Sequence, residues 1–298
     1  MKKIFLLSMV AGLLLTACSA PSPGDGQADS KIKVVASFYP YAYMAERIGG
    51  EFSSIDTVVR PGIEPHDFEP KPQDVVGLNQ ARVFFFNGAR LEPWADKLYD
   101  ELIAKKVSVF RMSDHVPLRM EGDVSDPHFW LDPVIMQKVA EVMRDAYIQV
   151  DAGHTADYQK NAASLIADLQ KLDASFKSGL ASCERRDSIV SHGAYMYLAV
   201  RYNFTLRAIA GISPDAEPTS RQLAELADFV KKQKIPYIFF EDLVSSKLSD
   251  TLAKEAGVQT LVLHPIEGLS SVQRDQGMDY MSLMNENLTN LRKAMTCK

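Results

Sequence analysis

Between residue 153 and Leu180 the chain contains no proline, and Tyr158, Ala162, Leu165, Leu169, Leu172, Phe176 and Leu180 recur every three or four residues. That spacing draws one apolar stripe along an α-helix and predicts that the stripe is buried. A helix of about 26 residues rises ~39 Å, more than most helices of globular proteins. A second helical run, from Pro133 to about Val150, precedes it. A helix this long joins whatever lies before and after it rigidly, where a Gly/Ser linker would leave the two parts free to hinge.

The two flanks share one character. Apolar stretches at 33–37, 54–59, 83–87 and 107–111 read as strands, with helical segments at 41–48, 72–80 and 92–103 between them. After the long helix, strands are expected at 188–191, 205–209, 237–240 and 260–263, and helices at 194–202, 220–232, 247–256 and 279–295. Strands alternating with helices define an α/β protein. The fold expected is two lobes, each with a roughly four-stranded, mainly parallel sheet and surrounding helices, joined by one long rigid α-helix. The boundaries are 31–150 for the first lobe, 151–182 for the linking helix and 183–298 for the second.

The first thirty residues are of another kind. Lys2 and Lys3 precede an apolar run from Ile4 to Leu15. That run is too short for the roughly 20 residues a spanning helix needs, and it has the form of a signal peptide over 1–17. Leu15-Thr16-Ala17-Cys18 resembles the bacterial lipobox, in which the cysteine is lipidated and becomes the new N-terminus. The alternative is an ordinary signal peptide containing a cysteine. Residues 19–30, rich in Ser, Pro, Gly and Asp, are expected to be a flexible tether, so 18–30 anchors the chain to a membrane. A net charge of −5 without a basic cluster argues against a nucleic-acid partner. Cys183 and Cys297 form an even pair in an exported chain, either a disulfide or two buried thiols.

Of six histidines, three stand at the kind of loop where α/β proteins gather ligands, beyond the carboxyl ends of strands. His66 lies in a proline-rich loop after the strand at 54–59. His128 sits in Asp126-Pro-His-Phe-Trp-Leu-Asp-Pro133, and His192 directly follows the strand at 188–191. Three imidazoles and one further donor make a tetrahedral zinc site. Asp67, Glu69, Asp126 and Asp132 are candidates to orient the imidazoles, Asp132 serving rather as a helix cap before Pro133. His115 and His154, in polar stretches, are expected at the surface.

Four blocks carry a family resemblance: Glu64-Pro-His-Asp-Phe-Glu-Pro70, Asp126 to Pro133, Ser191-His-Gly-Ala-Tyr-Met-Tyr-Leu198 and Gly211-Ile-Ser-Pro-Asp-Ala-Glu-Pro218. In this order they resemble the substrate-binding lipoproteins of zinc and manganese ABC importers, known as cluster A-I or periplasmic solute-binding protein family 9. The resemblance runs from about Lys33 to Met295 and implies two lobes on a rigid helix with the metal between them. It carries His66, His128 and His192 over as the first three ligands. Manganese-preferring relatives have Glu at the third position and Asp at the fourth, so His192 points to Zn2+. The fourth ligand comes from the loop at 263–269, where this chain has no Asp. Glu267 is the first choice, with His264 and a water as alternatives. Glu241 and Asp242 are set aside because the family motif does not place the ligand there. The His/Asp-rich loop that many zinc members carry between the first two ligands is missing. Partners implied are an ABC permease, its ATPase and, through the lipid on Cys18, a membrane on its periplasmic or extracellular side; the protein itself is expected to be a monomer.

Competing readings are a manganese-binding protein of the same family, a zinc-dependent hydrolase and a surface adhesin. The hydrolase would need an open coordination position and a general base. The sequence holds no HExxH, GxSxG or P-loop motif. The chain is therefore read as a non-enzyme that leaves ATP hydrolysis to a partner.

Overall fold

Val83–Phe86 (VFFF) is buried at all four positions, which a strand achieves only when both faces of its sheet are covered. It is β3 of a parallel sheet formed by β1 (Ile32–Ala36), β2 (Ser53–Thr57), β3 and β4 (Ser108–Arg111), in the order β2-β1-β3-β4. The crossovers are α1 (Tyr39–Gly49), α2 (Pro72–Asn79) and α3 (Pro93–Ala104). A computed structural model describes residues 31–298 apart from 215 and 217. The expected signal peptide, the lipidated Cys18 and the tether lie outside the described residues, as do Asp215 and Glu217 of the fourth sequence block.

After β4 comes an antiparallel hairpin outside the expected strands, β5 (Arg119–Glu121) and β6 (Val124–Asp126). Two helices follow, α4 (Pro133–Val150) and the 25-residue α5 (Thr155–Gly179), packed on each other as a helical hairpin. The second parallel sheet has the order β10-β9-β7-β8, built from β7 (Asp187–Val190), β8 (Thr205–Ala208), β9 (Tyr237–Phe240) and β10 (Gln259–Val262). Its helices are α6 (Met196–Arg201), α7 (Ser220–Gln233), α8 (Lys247–Ala256), α9 (Ser271–Asp275) and α10 (Tyr280–Ala294). The helix expected at 194–202 is split into a 3₁₀ turn, Gly193–Tyr195, and α6.

The stripe on α5 is buried as its spacing predicts: Tyr158, Ala162, Leu165, Leu169, Leu172 and Phe176 all point inward. What they enter is more than a lobe interface. One continuous core runs from Val34 to Met295, drawing side chains from both sheets, from α4 and α5, and from α10. Each sheet also has a smaller core on its outer face, one around Phe84 and Trp94, the other around Ile189 and Ile238. Residues 31–298 accordingly form one compact unit. Polar bonds also tie α5 to α1, with Arg47 on Asp168 at 2.7 Å and Asn161 donating to the Ile48 carbonyl at 3.1 Å.

A leucine in so central a position leaves a cavity when truncated. Leu165→Ala should lower the unfolding free energy by about 2–5 kcal/mol, read from the urea midpoint. Because the core is shared, the transition should stay single; separate melting of one sheet would contradict this account. Cys183 and Cys297 meet in disulfide geometry, Cα atoms 3.8 Å apart, just beyond α5 and α10. Among the described residues no helix is long and apolar enough to cross a membrane.

Candidate metal centre

Four loops converge where the two sheets face each other. The loop after β2 carries His66, pinned by Phe68, whose backbone N–H donates to Pro65 and whose ring packs on Trp94. The turn after β6 carries His128. There Asp126 Oδ1 accepts from the His128 backbone N–H at 3.0 Å, and Asn87 Nδ2 donates to the Pro127 carbonyl at 3.0 Å. His192 follows β7, and Gly193 beside it donates its N–H to the Gly211 carbonyl at 2.8 Å. A Cβ at Gly193 would lie 3.3 Å from that same carbonyl oxygen, so glycine lets the two loops approach. Glu267 follows β10.

The donor atoms of His66, His128, His192 and Glu267 lie within 4.8 Å of one another. Nε2 of His128 is 3.1 Å from Nε2 of His66 and 3.3 Å from Nε2 of His192. Glu267 Oε1 is 3.5, 3.7 and 3.8 Å from the Nε2 atoms of His66, His128 and His192. Zinc–nitrogen bonds of about 2.0–2.1 Å imply edges of ~3.3–3.4 Å in a tetrahedron of donors. The measured separations bracket that value. His128 and His192 are fully buried and Glu267 is 1% exposed, whereas the His66 side chain keeps 9%. His66 therefore forms the solvent side of the cluster.

Neither oxygen of Glu267 accepts a hydrogen bond. A buried carboxylate in that condition is costly unless a cation compensates it. The imidazoles, by contrast, are held from behind. His128 Nδ1 is 2.8 Å from Asp126 Oδ1, and His192 Nδ1 is 2.7 Å from Glu241 Oε1, which also accepts from the Ser191 hydroxyl. A carboxylate on Nδ1 fixes the tautomer that leaves Nε2 free to bind. Burial works against a charge on His192, but Glu241, with Glu267 and Glu64 beyond it, outweighs that and raises its pKa to about 9. Burial, helped by the neighbouring His192 and His66, keeps His128 well below the usual imidazole range. Burial also raises Asp126 to about 7, against the opposing hydrogen bond from His128 N–H.

The other candidates sit elsewhere. His264 turns away from the cluster: its Nδ1 lies 3.1 Å from Asp242, its Nε2 3.4 Å from Glu286, and Asn287 holds its backbone. Asp132 caps α4 by accepting from Val134 and Ile135 N–H, and pairs with Arg201 at 2.6 Å, while Asp67 and Glu69 are exposed. His115 is exposed as expected, but His154 is half-buried, stacked on Phe52 and bonded to Asp151 at 2.6 Å. Its polar sequence neighbours concealed that packing. Glu241, set aside as a ligand above, holds His192 from behind, a role not expected from the sequence. Ile189 of β7 pairs with Ile238 of β9, and three residues further along each strand stand His192 and Glu241. Only the strand order makes them neighbours, and spacing in the chain does not carry it.

Fold and cluster together define a class: a two-sheet α/β protein on a helical spine, with three imidazoles and one carboxylate gathered at the seam. Over residues 34–294 the chain matches the family described as zinc-uptake complex component A, periplasmic (ZnuA), and it belongs to that family. It is 37% identical to the zinc-binding lipoprotein AdcA of Streptococcus pneumoniae, across 98% of this chain but only 61% of AdcA, so it spans well under the full length of that relative. The high-affinity zinc uptake system protein ZnuA of Bacillus subtilis is 33% identical, with 98% of each chain covered. Among solved structures, the Zn(II)-bound ZnuA-like domain of S. pneumoniae AdcA superposes with a TM-score of 0.81 at 37% identity, covering 89% of this chain and 99% of that domain. The laminin-binding protein Lmb of Streptococcus agalactiae, described as bifunctional with adhesin and metal-transporting activity, gives 0.81 at 31% identity, covering 89% and 100%.

Proposed function

We propose that this chain is the extracytoplasmic substrate-binding component of a metal-ion ABC importer, taking Zn2+ as cargo at His66, His128, His192 and Glu267. The observation that carries this reading is the Glu267 carboxylate, buried without a hydrogen-bond donor and aimed at three Nε2 atoms. Three imidazoles suit zinc better than manganese, which favours oxygen donors. A fourth donor from the protein closes the coordination sphere, which suits carriage; a hydrolytic site keeps a position open for water.

In this reading Cys18 bears the lipid that tethers a monomer to the membrane, the Cys183–Cys297 bridge belongs to an oxidising compartment, and the permease with its ATPase receives the ion. The lobes follow the boundaries 31–150 and 183–298 around the helix at 151–182. Their shared core resists wide hinge closure, so small shifts and loop movements control loading and release. Metal analysis of the purified protein should find one zinc per chain, displaced by manganese only at large excess. A preference for manganese would overturn the specificity, and the lack of any stoichiometric metal would overturn the function.

A further inference from the structure

Because neither Glu267 oxygen is held by a hydrogen bond, the direction of its side chain comes from the backbone that carries it. That backbone is gripped at successive peptide groups. The Tyr195 hydroxyl donates to the Leu263 carbonyl at 2.7 Å. Asn287 accepts from the His264 N–H at 2.7 Å and donates to the His264 carbonyl at 2.8 Å. The Trp130 indole N–H donates to the Pro265 carbonyl at 2.7 Å.

Tyr195 and Asn287 belong to the same half of the molecule as the loop. Trp130 comes from the other half, two residues after His128, fully buried, with its ring centroid 5.0 Å from that of His128. Its own carbonyl accepts from the Tyr280 hydroxyl at 2.6 Å, so its position is fixed from both sides. Between Pro265 and Glu267 stands Ile266, buried, with φ of 58°. A β-branched residue in the left-handed region is strained and persists only where its surroundings enforce it.

We infer that Trp130 is the positioning residue for the fourth donor: its indole N–H, reaching across the seam to the Pro265 carbonyl, holds Ile266 in the left-handed form that aims Glu267 at the imidazoles. The inference rests on the zinc reading above and adds the means of control. Trp130 couples the second donor to the fourth, one from each half, and a shift of one half against the other acts on Glu267 through this bond. Without the bond, Ile266 relaxes and Glu267 swings off the ion first.

Trp130→Phe keeps an aromatic ring and removes the N–H. Zinc release into excess chelator, followed by stopped flow, should then be roughly three- to tenfold faster, the worth of one such hydrogen bond. The visible absorption of the Co2+-loaded variant should move toward that of Co2+-loaded Glu267→Ala. In the Glu267→Ala background, Trp130→Phe should cause no further acceleration. Tyr280→Phe, which frees the Trp130 carbonyl while keeping both rings, should also speed release, though less, and not in the Glu267→Ala background, a readout that stands even if Trp130→Phe does not fold. Equal acceleration in both backgrounds, or an unchanged rate in Trp130→Phe or in Tyr280→Phe, would overturn the inference. Failure of the unaltered protein to bind either Zn2+ or Co2+ would instead defeat the functional reading beneath it.

Discussion

Replacing His128 with alanine is expected to weaken zinc binding by more than about a hundredfold, beyond what loss of an outer hydrogen-bond partner costs at a metal site. Its Nε2 is the hub of the cluster, 3.1 and 3.3 Å from the other two imidazoles, and the side chain is wholly buried. His192→Ala should behave similarly. His66→Ala should cost less, because His66 faces the solvent side and a water can take its place. Competition against a fluorescent zinc chelator measures all three. An unchanged affinity in His128→Ala, or a greater loss in His66→Ala, would show that the ion is held elsewhere or from another direction.

Zinc binding should also depend steeply on pH, in a direction set by His192. With its pKa raised to about 9, the metal-free protein carries an imidazolium there at neutral pH, and zinc must displace its Nε2 proton. Affinity should therefore rise about tenfold per pH unit between about 7 and 9, with about one proton released per ion bound in weakly buffered solution. Below the value of about 7 reached by Asp126, that carboxyl is protonated in the metal-free protein and opposes binding further. Glu241→Gln, which removes the charge that raises His192, should flatten the slope between 7 and 9.

The stability of the metal-free protein runs the other way. The folded pKa of His192 lies above its unfolded value of about 6.5, so its contribution is complete below that value and is lost as pH rises through about 9. The rise in melting temperature on adding zinc should accordingly be larger at pH 9 than at pH 6. A zinc-induced shift independent of pH would mean that no proton leaves on binding.

Much of this could be read from residue spacing. The α5 stripe and the strand at Tyr237–Phe240 stand where their periodicity and composition put them, and the helix Lys247–Ala256 has the expected limits. The three histidine loops were legible because each follows an apolar strand or a proline-bracketed turn. The β5–β6 hairpin was not: its strands have three residues each, turning at Gly122 with φ of 61°, too short for an alternating pattern. Glu241 was hidden for a different reason. Its role depends on β7 and β9 being neighbours although β8 lies between them in sequence, and that order is a property of the assembled sheet. The outward turn of His264 likewise depends on Asn287, which only the packing of α10 brings to it.

The core that runs from Val34 to Met295 has a consequence for how such a chain comes to be folded. A chain made N-terminus first presents the apolar stripe of α5 before α10, which packs against that helix, has been made. The shared core is complete only when the last helix docks. Apolar surface on this spine therefore stays open longest during synthesis, and shielding it is the longest task for any agent that protects nascent chains.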